Sequence, residues 1–600
     1  MIKLSKYTIA LIVLVIISFA YNIIFLIGPS FYGDDVSYLD LAYSVVTGTF
    51  QESSYIFSIR LMQFLPIALF YKLFGFSLLA GALWDIISFT STLVIVYFIG
   101  KKLYNELAGL LSSLLLFGIP FVTMLAPTIS DDITAMFLSS LSFLFYLYAR
   151  EDKNKLFFFL SGFIIYLSIL TTPEAAFMAI TLFAIIIIDL IRKKISINKI
   201  SLWFIYGIIF SFILFMPINY YFSYNDCNNV TISFSTLCRN PIFPITLDSK
   251  FYSSVGSADT IPSTNIDPRF YLDMMFPNNI ISNLLSNNIG ALLNTNIFIN
   301  NFSGFYFYYL FFFIFLYSLF KIKNRKFKIA ISFVTIVIVI IYQYFIVPSI
   351  NSQTCVGYTY GADCSISLVL LTMIPFIMFA FFTFIIRNDN IIFALLWFII
   401  GAMLLNYGPM HISLYPKFLY LVTYRLQRFF ALLGPSTAIS LGIVFAYFIK
   451  KGRLSAIASI LLIIVLLISG FLSIEFCNNL TYYETYPQKV IANYLLNLPN
   501  TTNIYIASSF SNLHIYMNYK NPLRFYAYDN IQNCSNIPQG SYVIIPMVRQ
   551  FNLDYTPNPL PYCPSWQLIL KGPLVNNSLY ENAIYFDGSL YYIPYSKSKN

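Results

Sequence analysis

Charged residues are scarce in this chain. Only 10% of its 600 residues are Asp, Glu, Lys or Arg, against the roughly 25% usual in soluble domains, and 58% are hydrophobic. Histidine occurs only at His411 and His514, and no Cys and His spacing resembles a zinc site. These absences exclude an ordinary soluble enzyme or a zinc-binding module, and the composition predicts a polytopic α-helical membrane protein.

Apolar runs near the ~20 residues that cross a bilayer recur through the first four-fifths of the chain. We predict about thirteen transmembrane helices, at 7–29, 80–100, 107–126, 133–149, 156–172, 175–190, 200–221, 305–320, 329–348, 366–386, 391–407, 429–449 and 454–474. Two amphipathic stretches, 36–46 and 61–75, are expected to form interfacial helices in the first outer loop.

The orientation follows from the basic residues. With the N-terminus in the cytoplasm, 20 of the 35 Lys and Arg residues fall in cytoplasmic segments, as the positive-inside rule requires. The net charge of +10 therefore reports topology and implies no nucleic-acid partner. The expected location is a cell membrane, with the C-terminal part outside.

Glycosylation sequons and cysteines support the same orientation. The sequons fall in predicted outer segments, at Asn229, Asn301, Asn479, Asn500, Asn533 and Asn576. All seven cysteines lie on that side too, where disulfides persist. The expected bridges are Cys227 with Cys238 and Cys355 with Cys364, with Cys534 and Cys563 a weaker pair.

The chain divides into two predicted domains. Residues 1–474 form the transmembrane domain, including a long outer loop at 222–304 that is rich in Asn, Ser, Asp and Pro. From about Glu475 the transmembrane pattern stops, and short strand-like runs alternate with Asn, Pro and Gly turns. Residues 475–600 are predicted to form a small outer α/β domain.

Two pairs of neighbouring carboxylates stand at predicted outer helix ends. Asp34 and Asp35 follow the first apolar segment, and Asp131 and Asp132 precede the helix at 133–149. Such a pair can act as a general base beside a group that binds a cation or a hydroxyl. It can equally cap a helix and interact with its dipole. A third outer turn, TTPEA, supplies Glu174.

Basic residues gather in the later outer segment 407–428, which holds His411, Lys417, Arg425 and Arg428. Arg425 and Arg428 are three residues apart, so on a helix they share a face. Arginine suits bidentate recognition of phosphate. The alternative is that these side chains snorkel to lipid headgroups.

The first 190 residues resemble the GT-C superfamily of membrane glycosyltransferases, which contains the protein O-mannosyltransferases and the lipid A aminoarabinose transferase. The resemblance rests on GDDVSYLDLAYSVVTG, ALFYKLFG, GKKLYNELAGLLSSLLLFG and the loop SDD before a helix that ends at Arg150. A lysine found in many relatives is replaced by TTPE, with Thr172 and Glu174, and the oligosaccharyltransferase signature Trp-Trp-Asp is absent.

The resemblance implies transfer of a sugar from a polyprenyl (dolichyl) phosphate-linked donor to a lipid, glycan or protein acceptor at the outer face, with inversion. Asp34, Asp35 and Asp132 then correspond to the catalytic acids, with Asp34 as the base. The phosphate-binding candidates are Arg425, Arg428 and Lys417, and Asp131, Glu174 and His411 are further site candidates. A divalent cation, Mg²⁺ or Mn²⁺, would be held by Asp34, Asp35 and Asp132.

Two other functions are compatible with parts of the sequence. A transporter or lipid flippase also needs carboxylates and arginines, but carriers place them near the bilayer midplane and often contain internal repeats. Here the paired acids stand at the outer edge, and no repeat is evident. A non-catalytic surface receptor or assembly protein would leave both Asp pairs as helix caps.

Overall fold

The computed structural model describes most of the membrane part and selected segments of the C-terminal part. The described residues are 5–26, 28, 34–50, 60–172, 174–195, 202–229, 304–342, 346, 356–358, 361–363, 366–386, 390–407, 409–413, 419–422, 427–499, 502–506, 513–519, 524–527, 537–550, 567–571 and 584–592. The expected disulfides and most of the loop 222–304 lie outside these residues.

In the first part of the chain, the described residues form ten helices. They are α1 Lys6–Ile24, α2 Asp34–Thr47, α3 Leu61–Phe74, α4 Leu78–Leu103, α5 Glu106–Gly118, α6 Pro120–Leu125, α7 Asp131–Asp152, α8 Lys155–Ile169, α9 Ala175–Ile191 and α10 Leu202–Asn229. A 3₁₀ turn, Ala126–Thr128, separates α6 from α7. The two interfacial helices expected in the first loop correspond to α2 and α3.

Between residues 304 and 499, the part of the chain that the structure describes contains six further helices and two short hairpins. The helices are α11 Gly304–Lys321, α12 Arg325–Ile341, α13 Ile366–Ile385, α14 Ile392–Tyr407, α15 Gly434–Lys451 and α16 Arg453–Leu495. The hairpins pair β1 Val356–Tyr358 with β2 Gly361–Asp363, and β3 Pro409–Ser413 with β4 Leu419–Val422. A 3₁₀ helix, Gln427–Leu433, leads into α15.

A helix occupies each of the predicted transmembrane segments, but the helices differ in length. Among the described residues, five are long and apolar enough to cross a membrane: Lys6–Ile24, Leu78–Leu103, Asp131–Asp152, Phe429–Lys451 and Arg453–Leu472. The bent pair Glu106–Gly118 and Val122–Thr128 would make a sixth. The protein is therefore a helical multi-pass membrane protein, and the number thirteen stays a prediction.

Small residues allow some of these helices to approach closely. A side-chain carbon on Gly162 of α8 would lie 1.9 Å from the carbonyl oxygen of Phe204 in α10. One on Gly207 of α10 would lie 2.1 Å from the carbonyl oxygen of Phe159. Helices in lipid associate largely through such close packing. These glycines therefore fix the contact between α8 and α10.

The C-terminal strands form one sheet. Strands β5 Asn503–Ile506, β6 Arg524–Ala527, β7 Tyr542–Gln550, β8 Gln567–Lys571 and β9 Ile584–Tyr592 are arranged in the order β6-β5-β7-β9-β8. Strand β5 is parallel to β6 and β7, and β9 is antiparallel to β7 and β8. All five strands coincide with the strand-like runs of the sequence.

The boundary predicted at residues 474 and 475 falls inside helix α16. This helix has 43 residues and continues without interruption from the last apolar segment to Leu495. The segment around Gln488 thus belongs to the end of α16. The last membrane helix and the C-terminal part share one element.

The segment around a short helix of the C-terminal part, α17 Leu513–Tyr516, contacts α2. Asp40 of α2 places Oδ1 2.6 Å from Nε2 of His514, and the same oxygen accepts a hydrogen bond of 2.9 Å from the Tyr519 hydroxyl. The Tyr519 ring stacks on Tyr43, with ring centroids 4.1 Å apart. Burial is the main cause that raises the pKa of Tyr519, so the phenol stays neutral and donates to Asp40.

Candidate active site

Three distant segments bring Asp34, Arg60 and Asp131 together. Asp34 begins α2, Arg60 directly precedes α3, and Asp131 begins α7. Nη1 of Arg60 lies 2.6 Å from Oδ2 of Asp131 and 3.9 Å from Oδ2 of Asp34. Both distances are measured to the same nitrogen. The Oδ2 atoms of Asp131 and Asp34 can therefore be no further apart than the sum of these two distances. We call these three residues, with Tyr38, the Arg60 cluster.

Tyr38 completes the cluster from the second turn of α2. Its hydroxyl accepts a hydrogen bond from Nη1 of Arg60, and Cζ of Arg60 lies 5.9 Å from the centre of its ring. Tyr38 has no exposed surface. Since Asp34 and Tyr38 lie four residues apart on α2, they share one helix face. Arg60 therefore fixes this face of α2 against the start of α7.

The charge of Arg60 is maintained by its neighbours. Burial alone lowers the pKa of the guanidinium, because it removes water from the charged form. Asp131 has the strongest opposing effect, and Tyr38, Glu174 and Asp34 add to it, so the pKa rises above its ordinary value. A positive charge is therefore permanent at this buried position.

The two carboxylates of the cluster differ in their access to solvent. The side chain of Asp131 is 2% exposed, whereas that of Asp34 is 24% exposed. A buried charge is stable only when it is paired, and Asp131 meets this condition through Arg60. Asp34, at the longer distance from Arg60, is the more exposed of the two carboxylates.

A second buried contact lies one helical turn further along α3 and α7. Nε2 of Gln63 donates to Oδ2 of Asp85 at 3.0 Å, and the hydroxyl of Thr134 donates to Oδ1 of Asp85 at 3.0 Å. Gln63, Asp85 and Thr134 have no exposed surface. We call this contact the inner bridge. It joins α3 and α7 through α4, directly behind Arg60 and Asp131.

Asp35 and Asp132, the second acid of each pair, accept hydrogen bonds at the starts of their helices. Oδ1 of Asp35 accepts a hydrogen bond of 3.0 Å from the backbone N–H of Val36. Oδ2 of Asp132 accepts one of 3.3 Å from the Ser130 hydroxyl. Both residues are buried in the first turn of their helices, where a negative charge interacts favourably with the helix dipole.

The turn between α8 and α9 places Glu174 near the Arg60 cluster. Its carboxylate accepts a hydrogen bond from the Thr172 hydroxyl, and its charge contributes to the raised pKa of Arg60. The backbone N–H of Met62, near the start of α3, donates to the carbonyl oxygen of Leu170 at 3.3 Å. The TTPE turn is therefore in contact with the start of α3.

The predicted phosphate-binding residues are only partly described. The backbone of Arg428 belongs to the 3₁₀ helix Gln427–Leu433, and that of His411 belongs to strand β3, but the structure does not describe either side chain. Lys417 and Arg425 lie outside the described residues. After the 3₁₀ helix, a side-chain carbon on Gly434 would lie 2.8 Å from Val122 of α6.

Sequence reasoning missed Arg60, Tyr38 and the inner bridge. Asp85 carried a usable signal, because it is a single carboxylate within an apolar run, and ionisable residues inside membrane segments are usually functional. The sequence signal at Arg60 was weaker, since one arginine before an apolar helix is common at membrane interfaces.

One family model matches the chain. Residues 61–221 match the model described as "Dolichyl-phosphate-mannose-protein mannosyltransferase". We call these residues, which make up about a quarter of the chain, the GT-C segment. The expected resemblance to the GT-C glycosyltransferases is thereby confirmed for this segment. No curated protein sequence matches significantly.

Solved structures of two membrane glycosyltransferases are similar over most of the chain, at low identity. ArnT from Cupriavidus metallidurans bound to undecaprenyl phosphate is 10% identical, with a TM-score of 0.47, and the match covers 98% of both chains. The Archaeoglobus fulgidus oligosaccharyltransferase in the apo form is 11% identical, with a TM-score of 0.45 and coverage of 90% and 69%. Its complex with Zn and sulfate gives a TM-score of 0.44 at 11% identity, with coverage of 89% and 67%.

The GT-C segment contains only part of the candidate site. Asp131, Glu174 and the whole inner bridge lie within residues 61–221, whereas Asp34, Tyr38 and Arg60 precede them. The structure joins the two groups at the contact between Arg60 and Asp131.

The described residues contain no cluster of metal ligands. Among them, no group of three or more His, Cys, Asp or Glu side chains could hold a metal ion. Arg60 carries its positive charge between Asp34 and Asp131. The described residues therefore do not provide the ligand set expected for Mg²⁺ or Mn²⁺.

Proposed function

We propose that this glycosyltransferase moves a sugar from a polyprenyl (dolichyl) phosphate-linked donor to a lipid, glycan or protein acceptor, with inversion and with Asp34 as general base. The observation that carries the proposal is the asymmetry of the Arg60 cluster. Asp131 is buried and paired with Arg60 at 2.6 Å, while Asp34 is partly exposed and 3.9 Å from the same nitrogen.

The reaction requires one proton transfer and one displacement. The acceptor hydroxyl oxygen forms a bond to the anomeric carbon as the bond from that carbon to the phosphate oxygen breaks. The electron pair of the broken bond leaves with the lipid phosphate, and the hydroxyl proton passes to the carboxylate of Asp34. A base placed within hydrogen-bond reach of the acceptor accelerates such a step by roughly 10²- to 10⁴-fold.

Arg60 has a positioning role in this proposal. Its Nη1 lies 3.9 Å from Oδ2 of Asp34 and so helps to orient the carboxylate that accepts the proton. Its contacts with Tyr38 and Asp131 hold the guanidinium in place. Because the positive charge is built into the chain, the proposed proton transfer proceeds without a divalent cation.

Arg428, Arg425 and Lys417 are the proposed ligands of the donor phosphate. The segment bearing Arg428 leads into α15, and Gly434 at the start of α15 is close to Val122 of α6 and Leu116 of α5. The 3₁₀ helix itself contacts α7, whose first residue is Asp131. This proximity supports phosphate binding beside the Arg60 cluster. Asp35, Asp132, Glu174 and His411 remain further candidates around it.

We propose that the site faces outward, with the N-terminus in the cytoplasm. The support is the distribution of basic residues along the chain. Asp34, Arg60 and Asp131 lie at the start of α2, before α3 and at the start of α7, all on the side opposite Lys101 and Lys102 at the end of α4. Cysteine labelling of intact cells at both ends would test this orientation.

The decisive experiment compares Asp34→Asn with a matched change elsewhere. Transfer from a polyprenyl-phosphate sugar is measured in proteoliposomes, and donor binding is measured separately. Asp34→Asn is expected to lower turnover by roughly 10²- to 10⁴-fold while donor binding is kept. Glu106→Gln, which removes an equal charge beside Lys101, should leave both unchanged. Full activity of Asp34→Asn would show that Asp34 is not the general base and only begins helix α2.

Arg428 gives an independent arm of the experiment. Arg428→Ala is expected to weaken donor binding as well as turnover, because a charge-assisted contact to phosphate is lost before the reaction begins. Arg428→Lys should restore binding only in part, since a point charge cannot reproduce the bidentate fork. Unchanged donor binding in Arg428→Ala would exclude this residue as the phosphate ligand.

A further inference from the structure

The C-terminal part reaches back to α2 through residues 513–519, which we call the anchor segment. His514 of this segment lies 474 residues from Asp40 in the sequence, yet the two side chains are in contact. Ile515 of the anchor segment is buried in the same apolar core as Tyr38 and Leu39 of α2. The C-terminal part therefore contributes a side chain to the core that surrounds the helix of the proposed base.

Asp40 and Tyr43 of α2 receive the polar and aromatic contacts of the anchor segment. Oδ1 of Asp40 lies 2.6 Å from Nε2 of His514 and accepts a hydrogen bond of 2.9 Å from the Tyr519 hydroxyl. The rings of Tyr43 and Tyr519 are stacked, with an angle of 6° between their planes and their centres 4.1 Å apart. The Tyr519 ring also meets Tyr71 of α3 edge to face, at 6.2 Å between centres. The anchor segment thus contacts both α2 and α3.

The contacts of the anchor segment lie on the side of α2 that faces away from Arg60. Asp34 and Tyr38 form the side of α2 that meets Arg60. Each residue turns a helix by about 100°, so Asp40 and Tyr43 lie on nearly the opposite side. Helix α2 is therefore held between Arg60 and the anchor segment.

Helix α2 depends on tertiary contacts for its position. It has 14 residues, a length at which an isolated helix is only marginally stable in water. It is also shorter than the ~20 residues that would fix a helix across a bilayer. Loss of the contacts on one side would allow α2 to move away from Arg60. Asp34 would move with it, and its distance of 3.9 Å from Arg60 would increase.

We infer that Asp40, Tyr43 and Tyr519 are positioning residues for the transfer reaction, because they hold α2 where Asp34 stays beside Arg60. The inference rests on the proposed function, in which Asp34 is the general base. A misplacement of about 1 Å can lower the rate of a reaction by about 10²-fold, so a small movement of α2 is enough to affect turnover. The proposed phosphate ligands lie outside α2, and donor binding should not depend on the anchor segment.

Turnover and donor binding of two Tyr519 variants test the inference in proteoliposomes. Tyr519→Ala removes both the ring and the hydrogen bond, and should lower turnover roughly 10- to 100-fold while donor binding is kept. Tyr519→Phe keeps the ring on Tyr43 and should retain more activity than Tyr519→Ala. Asn497→Ala is the control, because it removes an exposed hydrogen bond elsewhere in the C-terminal part. Wild-type turnover in Tyr519→Ala would overturn the inference.

Combination with Asp34→Asn separates positioning from a general loss of stability. If the anchor segment acts through Asp34, then Tyr519→Ala should cause little further loss of turnover in a protein that already carries Asp34→Asn. A variant that merely unfolds part of the protein would lower turnover by the same factor in both backgrounds. Such additive losses would overturn the inference.

Hydrogen exchange measures the hold on α2 without the reaction. In Tyr519→Ala, the backbone amides of α2 should exchange several-fold faster than in the wild type, whereas those of α7 should be unchanged. Unchanged exchange in α2 would overturn the inference even if turnover fell. Full activity of Asp34→Asn would instead contradict the proposed function, and exchange in α2 would still show whether the anchor segment holds this helix. Should Tyr519→Ala not fold, Tyr519→Phe carries the same measurements.

Discussion

Arg60 and Asp131 form a buried ion pair, with Nη1 of Arg60 2.6 Å from Oδ2 of Asp131. Their side chains are 7% and 2% exposed. The pair connects the residue before α3 to the first residue of α7, and Asp34 is 3.9 Å from the same nitrogen. The stability of this end of the bundle and the geometry of the proposed base therefore depend on one guanidinium.

Removing one member of this pair should destabilise the protein strongly. Arg60→Ala leaves Asp131 as a buried charge without its main partner, and such changes cost about 3–5 kcal/mol. Arg60→Ala/Asp131→Ala removes both charges and should be more stable than Arg60→Ala alone. Thermal unfolding in detergent measures the coupling energy in a double-mutant cycle. Additive effects of the two single changes would show that the pair has no special role.

The inner bridge should influence the reaction from a distance. Asp85→Asn replaces an acceptor oxygen by an amide that faces the donors of Gln63 and Thr134, and an unsatisfied buried polar group costs about 1–3 kcal/mol. The loss of this contact should displace the start of α3. That displacement should lower turnover with little change in KM for the donor. Ser139→Ala is the control, because it removes another buried hydroxyl of α7 that bonds only within its helix.

A partial loss of turnover in Thr134→Val would support the role of the inner bridge. This change removes one of the donors to Asp85 and leaves the carboxylate and Gln63 in place. The two variants should therefore be non-additive when combined. If Asp85→Asn behaves as Ser139→Ala does in both unfolding and turnover, the inner bridge is only a local packing feature.

Contact between the C-terminal part and α2 should depend on Asp40. Asp40→Ala removes the oxygen that is shared by His514 and Tyr519, so the segment around α17 should dissociate from α2 more often. Limited proteolysis should then cut the C-terminal part several-fold faster than in the wild type. Asp152→Ala, an exposed carboxylate at the end of α7, serves as the control. Identical cleavage rates in all three proteins would contradict a stabilising contact.

Chelation tests the proposal that Arg60 replaces a metal ion as the positive charge of the site. Activity of the purified protein should be unchanged after treatment with EDTA and should not rise when Mg²⁺ or Mn²⁺ is added. The physical reason is that Arg60 already lies between Asp34 and Asp131. Loss of activity on chelation, restored by Mn²⁺, would instead favour a cation held by Asp34, Asp35 and Asp132.

Much of the fold was predictable because its local signals are strong. Apolar runs marked each membrane helix, and short strand-like runs between Asn, Pro and Gly turns marked the five described strands of the C-terminal sheet. The end of the membrane domain was harder to place. Helix α16 continues past residue 474 because the polar sequence that follows is also compatible with a helix, so composition changes there but the helix does not end.

The candidate site was predictable only in part. The acidic pairs were found because two adjacent carboxylates at a helix start are visible in the sequence. The contacts of the site were not found, because the residues that make them are far apart in sequence. Arg60 lies 71 residues from Asp131, and Thr134 lies 49 residues from Asp85. No periodicity relates residues so far apart. For the same reason, the sequence did not indicate that Asp131, rather than Asp132, would pair with Arg60.

The spacing of the two buried contacts limits how this region can change in length. Arg60 and Gln63 are three residues apart, as are Asp131 and Thr134, so the outer and inner contacts are in register along α3 and α7. Each residue turns a helix by about 100°. An insertion or deletion of one residue between Arg60 and Gln63 would therefore separate one contact while the other was kept. Length variation among related chains should be excluded from these turns and confined to the connecting segments.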